Sequence, residues 1–186
     1  MTWLLQSKRM GFQKIPQSSA PFADQATAQL QASWSTAQAL TTDAKIVIPK
    51  FKSFSPELPP TEPVTFGSND NQTPDGNTFM MGQTVPSFNA SWAGLSSDQY
   101  DQTENLFAWG NQSVDLETLG VYFFLGQRQV LMSKTFGPIP ARNFFIGDPN
   151  GMQLHALTMF PIRFDLLKGW FRDTVLFDLS FNHNLL

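Results

Sequence analysis

Cysteine is absent from the 186 residues, which removes a disulfide frame, a thiolate nucleophile and a cysteine-ligated zinc site. Charge is scarce: Asp, Glu, Lys and Arg make up 15% of the chain and leave a net charge of -3, where an ordinary domain carries roughly 25% charged residues. A mildly acidic balance argues against a nucleic-acid clamp. It suits a surface past which a phosphate backbone slides. No apolar run approaches the ~20 residues that a membrane-crossing helix needs. At the N-terminus, Lys8 and Arg9 follow a short apolar patch instead of preceding a long one, which is not the pattern of a signal peptide. The sequons at Asn71, Asn89 and Asn111 are therefore not read as glycosylation sites. Histidine is nearly missing too. His155 and His183 have no His, Asp or Glu at metal-ligand spacing. There is no phosphate-cradling glycine loop and no Gly-x-Ser-x-Gly elbow. The acid pairs Asp98/Asp101 and Asp115/Glu117 are natural capping or solubilising groups. The expectation is a protein that is not an enzyme and carries no cofactor or metal.

Aromatic residues, in contrast, reach 13%, with 18 Phe. A free monomer with so many rings and so few charges tends to stick. Covering much of its surface with other subunits resolves this. A large core under a Ser/Thr/Asn/Gln surface is the alternative. The length allows one domain with a proper core, extended by an arm.

Residues 1–43 are rich in Gln, Ala, Ser and Thr. Ala26 to Leu40 reads as a weak helix, with Asp24 as N-cap and Leu30, Trp34 and Ala37 along one side. Such a thin stripe needs a partner surface, on a neighbouring subunit or on its own domain. Residues 44–186 read as the main β domain. Ala44 to Phe51 is a strand limited by Pro49. The Pro-rich stretch 52–76 is an extended loop, with a short strand near Val64 to Phe66. Thr78 to Met81 and Pro86 to Trp92 follow as strands, the second alternating Phe88, Ala90 and Trp92 against Ser87, Asn89 and Ser91. A helix is predicted over 98–109, capped by Ser97 or Asp98 and stopped at Gly110. Leu119 to Leu125 and Val130 to Phe136 form either a hairpin turned at Gly126 or one strand kinked there. Phe144 and Phe145 belong to another strand.

The last third reads as the centre of the fold. Met152 to Phe160 is a strand broken at Phe160-Pro161, where proline forces the ladder to stop or to lie at an edge. From Asp173 to Asn182, Val175, Phe177, Leu179 and Phe181 point one way, and Thr174, Asp178, Ser180 and Asn182 the other, with Leu176 the one apolar exception. The rest of the chain is expected to build against this pair. The whole is a mainly β fold of roughly six to eight strands, an antiparallel sandwich or barrel with a packed helix. Arg163, Lys168 and Arg172 read as partners for Asp165 and Asp173 or for acids on a neighbour.

Several pieces in order carry a resemblance: Ile48-Pro49, then Met81-Gly-Gln-Thr-Val-Pro86, then Phe88-Asn-Ala-Ser-Trp92 running into an acidic helix that ends Leu-Phe-Ala-Trp-Gly110, then Leu154 to Ile162 with its Phe-Pro turn, then the closing strand Val175 to Phe181. This ordered set resembles the inner tail-tube proteins of contractile-tailed bacteriophages. The resemblance implies a tail-tube-like fold and a virion structural subunit, assembled in the bacterial host cytoplasm. Hexameric rings of such subunits stack into a tube with a polar or acidic lumen through which DNA passes. The implied partners are copies of the chain, tail sheath and baseplate proteins, with no membrane. Candidate inter-subunit or stacking residues are Lys50, Phe51, Phe54, Phe66 and Trp34. Candidates for the lumen or an outer wet face are Thr174, Asp178, Ser180 and Asn182. The alternatives are a baseplate-proximal ring that initiates the tube, and a β-sandwich accessory or binding protein of the virion outside the tube.

Overall fold

The computed structural model describes residues 7–15, 22–41, 45–49, 53–59, 62–66, 79–93, 119–126, 128–148, 159–167 and 169–186. The fold is mainly β, with every ladder antiparallel. Strand β1 (Ser7–Lys14) is followed by two short helices, α1 (Gln25–Ala28) and α2 (Gln31–Ala39). Then come β2 (Ile46–Val47), β3 (Ser53–Glu57), β4 (Pro63–Phe66), β5 (Phe79–Gln83) and β6 (Ser87–Ala93). The second half holds β7 (Leu119–Leu125), β8 (Gln129–Ser133), β9 (Ile139–Ile146), β10 (Met159–Leu166) and β11 (Thr174–Asp178). Nine strands form one sheet in the order β11-β8-β7-β9-β10-β6-β3, with β1 joining β7 and β2 joining β1; β4 and β5 pair separately. The expected helix over 98–109 and the segment Met152 to Thr158 lie outside the described residues.

The sheet is organised around β7 and not around the last third of the chain. Every residue of β7 is buried. One side of β7 pairs with β1 along its length, while β9 takes Leu119 to Val121 and β8 takes Phe123 to Leu125 on the other. Alternation sends Leu119, Val121, Phe123 and Leu125 into one core and Tyr122 and Phe124 into another. A strand buried on both faces reads as a continuous apolar run, as Leu-Gly-Val-Tyr-Phe-Phe-Leu does. In the first core Phe12 lies edge-on to Trp92, Phe144 and Phe164 at centroid distances of 5.9, 5.7 and 6.2 Å. The sheet curls around this cluster, because β3, at the end of the path, comes back beside β1 without sharing a ladder. In the second core, α2 and the chain after β11 cover the opposite face of β7, β8 and β11.

Several local expectations meet the structure directly. In β6, Phe88, Ala90 and Trp92 are buried and the intervening residues half-buried. The β7–β8 turn is a hairpin, with Gly126 at φ 57, a conformation open to glycine at little cost. Asp24 caps α1, accepting a 2.7 Å hydrogen bond from the Thr27 N–H. That bond holds its carboxyl below the usual carboxylate range.

Three expectations are corrected. The helix over Ala26 to Leu40 is two helices, broken at Gln29–Leu30, and Leu30 is exposed while Trp34 and Ala37 are buried. β10 and β11 share no ladder: β10 pairs with β9 and β6, and β11 pairs with β8. And β10 runs through Pro161 in the interior of the sheet, flanked by β9 and β6. The reason is parity. In an antiparallel ladder the N–H and C=O of one residue point to the same side. The Pro161 carbonyl accepts from the Gly147 N–H at 2.8 Å, so its missing N–H faces β9 where that strand has already ended. Toward β6, Pro161 sits opposite Ser91 in a pair that needs no N–H from it. Gly147 permits the close approach: a Cβ there would lie 2.8 Å from Pro161 Cγ.

Candidate assembly interface

A sheet presents unpaired backbone N–H and C=O groups at its edge strands. β3 contains Pro56 and lies beside β1. β2 is two residues long, is followed closely by Pro49, and packs beside α2. Proline and shortness both blunt an edge. β11 has neither protection. It pairs with β8 through Thr174↔Ser133, Val175↔Met132, Leu176↔Leu131, Phe177↔Val130 and Asp178↔Gln129.

Two flanking bonds fix which of its backbone groups are used. The Lys134 N–H donates to the Asp173 carbonyl at 2.8 Å, and the Leu179 N–H donates to the Arg128 carbonyl at 2.6 Å. Residues 173 and 179 therefore face β8, and by alternation so do Val175 and Phe177. Thr174, Leu176 and Asp178 face away, and among the described residues their backbone groups have no ladder partner. The next outward position is closed. The Ser180 N–H and Oγ both donate to the Gln29 carbonyl, at 3.1 and 2.6 Å. At the other end stands the 3-10 turn Trp170–Asp173. The open edge is thus a window limited at both ends.

Side chains along the window are tied down locally. Thr174 Oγ1 donates to the Phe171 carbonyl at 3.1 Å, and Asp178 Oδ1 accepts from Gln129 Nε2 at 3.1 Å. Leu176 packs against the first core and Val175 against the second. That explains why Leu176 breaks the polar face: both faces of β11 meet apolar neighbours. Phe177, Leu179 and Phe181 are buried as their alternation predicts. The chain after β11 is anchored from β1. Buried Arg9 donates Nε to the Pro49 carbonyl at 3.0 Å and Nη1 to the His183 carbonyl at 2.8 Å. Burial lowers the pKa of that guanidinium. His183 is buried against Phe124, with Nε2 2.9 Å from the Gly126 carbonyl. Asn182 Oδ1 accepts from the Asn184 N–H at 3.0 Å, capping the final 3-10 turn.

The remaining expected contact residues fall elsewhere. Trp34 is wholly buried in its own chain, with Nε1 donating to the Ala28 carbonyl at 2.7 Å and its ring against Phe22, Tyr122 and Phe124. It has no surface to offer a neighbour. Phe54 lies on β3 opposite Ser91, and Phe66 on β4 opposite Phe79. Lys50 and Phe51 lie outside the described residues.

A second polar feature sits on the outer face of β6, β9 and β10. Asp165 accepts from Ser87 Oγ at 2.6 Å and Asn143 Nδ2 at 2.8 Å. Arg163, the expected partner of Asp165, lies 3.8 Å from its Oδ1 and donates Nη2 to Ser87 Oγ at 3.2 Å. Asn143 occupies a bulge in β9 at φ 52, a region in which asparagine is enriched. Beside it a shallow groove of ≈ 380 Å³ is lined by Glu57, Asn89, Ser91, Phe145, Pro161 and Arg163 among others. These bonds are the sort that pin a sheet surface. Among the described residues no group of His, Cys, Asp or Glu is placed to hold a metal ion, and no helix is long and apolar enough to cross a membrane. No protein-family profile, curated protein or solved structure matches the chain.

Proposed function

We propose that this chain is a structural subunit that assembles with copies of itself, and that its place is the inner tube of a contractile bacteriophage tail. The observation that carries the proposal is the window at Thr174, Leu176 and Asp178: a proline-free strand edge at one end of a nine-stranded sheet whose other ends are blunted. Exposed edges are a hazard to a monomer and an asset to a subunit, since a neighbour's strand completes their hydrogen bonds. The low charge and high aromatic content support the same reading. In a ring the β11 window of each subunit would be completed by a segment of its neighbour, and closure leaves none exposed. The lumen of such a tube is polar and acidic, so that DNA passes without adhering. Sheath and baseplate proteins would be its further partners, and the virion tail its location.

Electron microscopy of the purified full-length chain tests this. Hollow filaments or stacked rings are expected. Isolated rings that never stack would replace the tube subunit by a tube initiator. A solution of single molecules at high concentration would overturn the proposal.

A further inference from the structure

The window on β11 has a length and a side-chain order that fit a copy of itself. We infer that, before any larger assembly, two chains pair through β11 about a two-fold axis at Leu176, each closing the other's open edge. This goes beyond the tube reading and does not depend on it. A two-fold contact uses the same patch on both chains and cannot propagate, so the pair is a resting form of the subunit.

The register follows from parity. Hydrogen bonds across a new antiparallel ladder join outward-facing residues to outward-facing residues. Each strand has three of these, Thr174, Leu176 and Asp178. Centring the axis on Leu176 sets Thr174 opposite the partner's Asp178, Leu176 opposite the partner's Leu176, and Asp178 opposite the partner's Thr174. All outward groups of both strands are then used. An axis on Asp178 places two carboxylates directly opposite, which is destabilising, and runs into Ser180, whose N–H already belongs to Gln29. An axis on Thr174 runs into the Trp170–Asp173 turn. Centres at Val175 or Phe177 leave one outward residue of each strand facing one of the same two obstacles. With Leu176 at the centre the cross-strand pairs are also chemically matched. A polar Thr174 meets Asp178, which keeps the two carboxylates apart, Val175 meets Phe177, and leucine meets leucine.

The lack of native cysteine makes the test clean. Single-cysteine variants of the full-length chain are oxidised mildly and read on non-reducing gels. Leu176→Cys is expected to give a disulfide-linked dimer, because directly opposed residues stand about 5.5 Å apart, within disulfide reach. Thr174→Cys alone and Asp178→Cys alone are expected to stay single, since each is about four residues from its own copy. An equal mixture of those two variants is expected to cross-link. Ala32→Cys, exposed on α2, reports random collision. Leu176→Cys that links no faster than Ala32→Cys would overturn the inference, as would efficient linking of Thr174→Cys or Asp178→Cys with itself. If the dimer forms but the wild type never builds rings or filaments, the tube reading falls and the two-fold pair stands. If filaments form without any Leu176→Cys dimer, the reverse holds.

Discussion

Replacing Leu176 with proline is expected to leave the fold standing, while the same change one residue earlier damages it. Leu176 and Val175 are both half-buried aliphatic residues on β11. Trimming either to proline removes packing worth about 1 kcal/mol. Their N–H groups differ. That of Val175 points to Met132 on β8, so proline there breaks a ladder bond and strands a carbonyl, adding about 2–3 kcal/mol. That of Leu176 points outward and has no bond to lose. A change of 1 kcal/mol moves the midpoint of a domain this size by roughly 2–4 °C. Leu176→Pro is therefore expected to melt about 2–4 °C below the wild type, and Val175→Pro roughly 6–16 °C below it. Thermal and urea unfolding of freshly diluted protein measure both. Self-association, followed by sedimentation, is expected to be lost in Leu176→Pro, because the edge now lacks its central donor. Equal destabilisation by the two prolines would mean that the Leu176 N–H is engaged within the chain and that the edge is not open.

Phe12→Ala removes the ring that meets Trp92, Phe144 and Phe164, and is expected to cost about 3–5 kcal/mol by chemical denaturation. Tyr122 is buried, its hydroxyl donates to Gln13 Oε1 at 2.8 Å, and burial pushes its pKa well up. An unfolded tyrosine ionises near ~10, so the stability this group contributes is complete below that pH and is lost as pH rises beyond it. In an alkaline titration its phenolate absorbance is expected only together with unfolding. Asp24 behaves in the opposite sense, because its carboxyl is held low by the Thr27 N–H. Its contribution to α1 is present above the unfolded value of ~4 and fades as pH falls through the depressed folded value. Asp24→Ala is expected to melt below the wild type at neutral pH, with the gap closing in acid.

Much of the strand content is written in the sequence because alternation is a local signal. β6, the glycine hairpin after β7, the buried residues at Phe177, Leu179 and Phe181, and the Asp24 cap all follow from residues near one another in the chain. The pairing of strands does not. Which strand lies beside which is decided by long-range packing, and here β10 and β11, consecutive in the chain, share no ladder. β1 shows how a strand can be disguised. Its Arg9 and Gln13 are buried polar residues, so Ser7–Lys14 lacks the alternation that marks a half-buried strand. Residues 7–14 and 22–41 thus build part of the domain, although their composition resembles an arm. Pro161 misled for a related reason. Proline excludes a strand interior only where its N–H would have been needed, and the side it faces depends on where β9 stops. Gln29 is the clearest omission. Nothing in its surroundings announces that its carbonyl closes the β11 edge, because the partner, Ser180, is far along the chain.

Residue-resolved amide exchange at Leu176, followed over protein concentration, tests the open edge most directly. In dilute solution the Leu176 N–H is expected to exchange rapidly while its neighbours Val175 and Phe177 stay protected, and its protection is expected to climb as concentration rises. A Leu176 amide already as protected as Val175 at the lowest concentration would contradict the account.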